Sequence, residues 1–121
     1  MAHPTRISTK AELDYAFRES EERPVILFKH SLTCPVSTAA YQAYLDFLRV
    51  HDVASSLAAL VEVQNARDVS NEISARTGIR HESPQALMLR GGRAVWNASH
   101  WDISVDSLHE GLERAASTES R

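Results

Sequence analysis

The chain has 121 residues, 43 % hydrophobic and 24 % charged, with a formal net charge of −3. That suits one domain over residues 1–121 with its own core, and the lack of a basic stripe argues against nucleic acid or an anionic membrane as partner. The longest apolar runs, such as Val25-Ile26-Leu27-Phe28, are far too short to span a bilayer, and Met1 to Arg6 lacks the apolar segment of a signal peptide, so the expected location is the cytoplasm.

Thr9-Lys10-Ala11-Glu12 is a capping-box pattern and predicts a helix to about Glu22, with Leu13, Ala16 and Phe17 inward. Pro24 stops it. Val25 to Lys29 is a continuous apolar run ending in charge and reads as a strand buried on both faces. Ser31-Leu32-Thr33 forms a short loop. From Pro35 to about Val50, apolar residues at Val36, Ala40, Ala43, Tyr44, Phe47 and Leu48 follow helical spacing. The β-branched Val61 and Val63 predict a strand from about Leu60 to Gln64. Asp68 or Ser70 caps a short helix over Asn71 to Thr77, ended by Gly78 in a left-handed cap. Pro84 to Leu89 and Ala94 to Ala98 are strands joined by an Arg90-Gly91-Gly92-Arg93 hairpin turn. Ser104 caps the last helix, and the chain frays from Ser117, leaving an ordered core of about residues 7–116.

The order is α-βαβ-α-ββα. A βαβ unit demands a parallel pair and the glycine hairpin an antiparallel pair. The expected architecture is a mixed four-stranded sheet flanked by helices, the element order of the thioredoxin-like fold.

There is one cysteine, Cys34. It cannot form an internal disulfide or build a cysteine-based zinc site alone, so any partner sulfur comes from another molecule. Pro35 is placed as the first helical residue, which makes Cys34 the N-cap. Its sulfur then faces free backbone N–H groups and the positive end of the helix dipole, both of which favour the thiolate. Lys29 and His30 add positive charge if they point that way, and the Ser37 hydroxyl is placed to donate to the sulfur. Cys34-Pro35-Val36-Ser37 is a C-x-x-C pattern with serine in place of the second cysteine. Such a site stops at a mixed disulfide and waits for an external thiol. The competing reading is an inert core cysteine.

Ser83-Pro84 at the start of a strand is expected to be cis, beside Cys34, with Ser83 offering its backbone to a substrate. Topology returns Ser99, His100 and Trp101 to the same edge. Trp101 either walls the site or packs in the core, and the helix start at Ser104 offers an anion site. No tight metal-ligand spacing occurs among the six histidines, and no metal is expected.

At these residues the chain resembles the monothiol bacilliredoxins, the YtxJ-type proteins of the bacillithiol system. The resemblance rests on Phe28-Lys29-His30-Ser31 leading into Thr33-Cys34-Pro35-Val36-Ser37, on Gln64-Asn65-Ala66-Arg67 with Ser70-Asn71, on His81-Glu82-Ser83-Pro84-Gln85, and on Trp96 with Ser99-His100-Trp101-Asp102-Ile103. It spans roughly residues 7–113. Val36 stands where the family often has isoleucine. The resemblance implies a thioredoxin-like fold and removal of bacillithiol from protein mixed disulfides by Cys34. It implies no tightly bound cofactor, bacillithiol as co-substrate, S-thiolated client proteins as partners, and regeneration by free thiol or a reductase. Two alternatives stand beside it: a binding module with an unreactive Cys34, and a monothiol glutaredoxin-like iron–sulfur carrier.

Overall fold

The structure, a computed structural model, describes residues 4–118. Nine elements run in the order β1 (Thr5–Arg6), α1 (Lys10–Glu19), β2 (Val25–His30), α2 (Pro35–Val50), β3 (Leu57–Glu62), α3 (Arg67–Thr77), β4 (Gln85–Arg90), β5 (Arg93–Ser99) and α4 (Val105–Ser117). Single 3-10 turns at Val63–Asn65 and His100–Asp102 follow β3 and β5. Among the described residues no helix is long and apolar enough to cross a membrane.

The sheet has five strands rather than the expected four, in the order β1-β3-β2-β4-β5. The addition is β1, where Thr5 and Arg6 pair parallel with Ala59 and Leu60 at the edge. Two polar, exposed residues carry no apolar alternation, so pairing alone creates this strand. β2 is central, parallel to β3 and antiparallel to β4, and all six of its residues are buried.

Alternation along β2 sorts the core into two layers. Ile26 and Phe28 pack with Tyr44, Phe47 and Leu48 of α2 and Leu108 and Leu112 of α4. Val25 and Leu27 pack with Leu13 and Phe17 of α1 and Val69 and Ile73 of α3.

The predicted capping box of α1 is present, and Glu12, held by the Ser8 and Thr9 amides, has its carboxyl pKa lowered. Three boundaries differ from expectation. α1 ends at Glu19 rather than about Glu22, with Ser20 as C-cap and its hydroxyl bonded to the Phe17 carbonyl. β3 starts three residues early, at Leu57, because its pairing with Val25–His30 extends along that whole strand, and it ends where Val63 enters the 3-10 turn. α3 begins at Arg67 without a side-chain cap: the Val63–Asn65 turn feeds directly into it through Ala66. Gly78 ends it at φ 72°, as expected. Fraying is expected from Ser117, but α4 includes Ser117, and the residues beyond Thr118 lie outside the described ones.

The α4–β5 contact is tight at Gly111. A Cβ there would lie 2.5 Å from Trp96 Cδ2 and 2.9 Å from Cε2. Gly111→Ala gains helix propensity but overpacks the half-buried Trp96 ring. We expect a net loss of about 1–2 kcal/mol in urea denaturation. An unchanged midpoint would show that Trp96 yields freely.

Candidate functional site

Four structural features meet at one end of the sheet. β2 ends at His30, the loop Ser31–Thr33 follows, and α2 starts at Pro35 with Cys34 as N-cap. Cys34 is half-buried and its thiol is free. Its side chain makes no capping hydrogen bond, while its carbonyl accepts from the Thr38 N–H at 3.1 Å. The early helical amides therefore have no side-chain acceptor at the N-cap, and the sulfur sits at the positive end of a sixteen-residue helix.

The loop ahead of Cys34 is clamped by Gln64. Its Oε1 accepts from the Leu32 N–H at 3.0 Å, and its Nε2 donates to Ser31 Oγ at 2.9 Å and Thr33 Oγ1 at 3.4 Å. Thr33 and Pro35 are exposed. Sequence reasoning left Gln64 out of the site because its contacts span more than thirty residues of chain.

Ser37 corrects an expectation. Its hydroxyl accepts from the Ser31 N–H at 2.8 Å and pairs with His30 Nδ1 at 2.8 Å, and it makes no hydrogen bond to the sulfur. Ser37 is fully buried, so it anchors the loop to the helix from below. His30 and Lys29 also depart from expectation. His30 is buried and stacks on Tyr41 at 4.7 Å, and burial pushes its pKa down, favouring the neutral ring. Lys29 faces the opposite side of the sheet by strand alternation. Neither provides the cation once expected beside the thiol.

The Ser83–Pro84 bond is cis, as expected. Lys29 pairs with Gln85, so Pro84 stands opposite His30 at the end of β2. The Pro84 carbonyl accepts from the His100 N–H at 3.1 Å, and Ser99 pairs with Gln85. This brings Ser83, Pro84, Ser99 and His100 to one edge. His100 adopts φ 53°, a left-handed conformation that re-aims the chain into the turn packed on α2, and its Nε2 lies 3.6 Å from Glu82 Oε1. Trp101 is 75 % exposed, which excludes the core reading. Leu32, two residues before Cys34, is also exposed.

The anion site expected at Ser104 does not form. Ser104 Oγ takes the Ser107 N–H at 3.0 Å, Ser107 Oγ returns the bond to the Ser104 N–H, and Asp106 fills the first turn with negative charge. His30 stacks on Tyr41 of α2, whereas His81, in the loop before β4, lies against Ser70 of α3. Among the described residues no group of three or more His, Cys, Asp or Glu side chains is placed to hold a metal ion.

A half-buried N-cap cysteine and a cis-proline at the same end of a mixed sheet define a thiol-based redox protein of the thioredoxin fold. The solved structures agree. The chain has a TM-score of 0.78 and 35 % identity to a candidate oxidoreductase with a thioredoxin fold, covering 89 % of this chain and 92 % of that one. Fasciola hepatica thioredoxin (TM-score 0.73, 15 % identity, 92 % and 98 % covered) and Malassezia sympodialis thioredoxin (0.76, 12 %, 96 % and 94 %) share the fold alone. The family model for the monothiol bacilliredoxin BrxC matches residues 5–108. The chain belongs to the monothiol bacilliredoxin family.

Proposed function

We propose that this protein removes bacillithiol from protein mixed disulfides, with Cys34 as the only reacting sulfur of the chain. The Cys34 thiolate attacks the bacillithiol sulfur of the client disulfide. A new S–S bond forms to Cys34, the old one breaks, and the client cysteine leaves as a thiolate that takes a proton from water. Free bacillithiol or a partner reductase then reduces the Cys34 disulfide. The setting is the cytoplasm.

The observation that carries the reading is the pairing of a free N-cap thiol with a buried Ser37 at the resolving position. No internal sulfur can expel the bound thiol, so the mixed disulfide persists until an external thiol arrives. The exposed Leu32 and Trp101 offer apolar surface to a client, and the backbone of Ser83 beside the cis bond suits an extended segment.

Incubating the reduced protein with a bacillithiolated client should release the client thiol and add one bacillithiol mass to the peptide containing Cys34. A client that stays modified, with Cys34 unchanged in mass spectrometry, would overturn the proposal.

The Gln64 clamp gives a second expectation. Gln64→Ala frees the Ser31–Thr33 loop, costing about 1 kcal/mol of stability and slowing exchange while leaving the helices intact. Gln64→Glu retains an acceptor for the Leu32 N–H and should recover part of the rate. Circular dichroism and Cys34 alkylation rates check this; equal alkylation in all three proteins would show that the clamp does not position the thiol.

A further inference from the structure

On the α3 side of the sheet, Lys29 is fully buried and its Nζ has no hydrogen-bond partner. Unpaired buried cations are costly, and their persistence in a fold needs an explanation. Its cross-strand partner Gln85 is also buried, spends its Nε2 on the Arg80 carbonyl at 3.0 Å, and leaves Oε1 unpartnered. The carboxylate acting on Lys29 is Glu82, which lies instead against His100.

Beside this column lies a cleft of about 140 Å³ lined by Val63, Arg67, Ser70, Asn71 and His81. Val61 pairs with Lys29 in the sheet, and Val63 continues from it to the cleft wall. Arg67, Ser70 and Asn71 share one face of the first turns of α3 at i, i+3 and i+4, whereas Asp68 projects from another face and does not line the cleft. Ser70 Oγ lies 3.2 Å from His81 Nδ1. Two cations, Lys29 and Arg67, and one carboxylate, Glu82, all act on the His81 ring, and Glu82 lies against His100. α3 has no side-chain cap, and the positive end of its dipole is offset in part by Asp68 in the first turn. One residue links the cleft wall to the thiol site along the chain: Gln64, next to Val63, bonds the loop before Cys34.

We infer that this cleft is a carboxylate-binding subsite, with Lys29 as the buried cation beneath it, and that it holds the anionic part of the small thiol exchanged at Cys34. The identity of the occupant rests on the exchange reading above; the anion site itself rests on the residues just described. The pairing explains why a cation is kept in the core with no hydrogen-bonded partner. The thiol end of the ligand goes to Cys34 while its carboxylate lies by Arg67 and His81.

Succinate is the probe for the site alone. Added to the reduced protein, it should shift the backbone amide resonances of Arg67 to Asn71. Lys29→Met and the exposed-site variant Arg67→Gln should each weaken that binding by about tenfold, the scale of losing one charge-assisted contact. A client carrying mercaptosuccinate should be exchanged in preference to one carrying 2-mercaptoethanol, and the ratio of the two rates should fall by a similar factor in both variants. Shifts without any exchange would sink the exchange reading and keep the anion site. Exchange with no succinate shifts and an unchanged ratio in the variants would overturn the inference and leave the exchange reading standing.

Discussion

Replacing Cys34 with serine should reduce thiol transfer to the uncatalysed level. The hydroxyl is not appreciably ionised at neutral pH and cannot form the mixed disulfide, and the sequence contains no second cysteine to substitute. The fold should survive for a local reason. The Cys34 side chain makes no capping hydrogen bond, whereas serine is among the favoured N-cap residues, so α2 loses nothing and gains up to about 1 kcal/mol. Mass spectrometry should find no adduct, and the melting temperature should be equal or higher. Transfer surviving in this variant would refute the role of Cys34, and loss of activity through unfolding would show as a lowered melting temperature.

Lys29→Met should stabilise the protein. Burial lowers the Lys29 pKa from 10.5 to about 8, so at pH 7 the folded chain carries a buried, unpaired cation. Methionine fills similar volume without that cost, and the gain should be on the order of 2 kcal/mol. The sign of the pH dependence follows from linkage. Between about pH 8 and 10.5 the unfolded chain still holds a proton that the folded chain has released. The unfolded state binds more protons there, so stability rises with pH through that window and is lower by the full amount below it. Urea titrations across this range should show the rise in the parent protein and its absence in Lys29→Met. A variant that is less stable at pH 7 would show that Lys29 has a stabilising partner. Stability gained together with weaker succinate binding is the pattern expected where a strained group is kept for binding.

Much of the fold was legible because its signals are local. The Thr9–Glu12 and Ser104 caps, the apolar Val25–Phe28 run, the Gly91-Gly92 hairpin and Gly78 each follow from backbone chemistry within a few residues. β1 was not legible, since Thr5 and Arg6 become a strand only because β3 presents a free edge. The start of β3 is hidden in the sequence for the same reason: Leu57 to Ala59 are strand by register with β2, whereas the β-branched signal lies at Val61 and Val63. α3 was expected to start at a polar cap, but the preceding 3-10 turn supplies its start, and Ser70 instead turns its hydroxyl to His81.

For the site, the sequence by itself determined a lone cysteine before a proline at a helix start, with serine where a second sulfur would stand, and a proline placed to face it. Those are matters of residue identity and spacing. Only the tertiary structure decided where the neighbours point. Strand alternation sends His30 toward Ser37 and Lys29 toward α3, so two adjacent basic residues serve opposite faces and neither acts as the thiol's cation. The Gln64 clamp and the Pro84–His100 bond join segments far apart in the chain. Trp101 is outside the core because the left-handed turn at His100 redirects the chain before the aromatic ring is reached. Cys34 and Ser37 thus fix the class of chemistry, and long-range packing fixes what surrounds it.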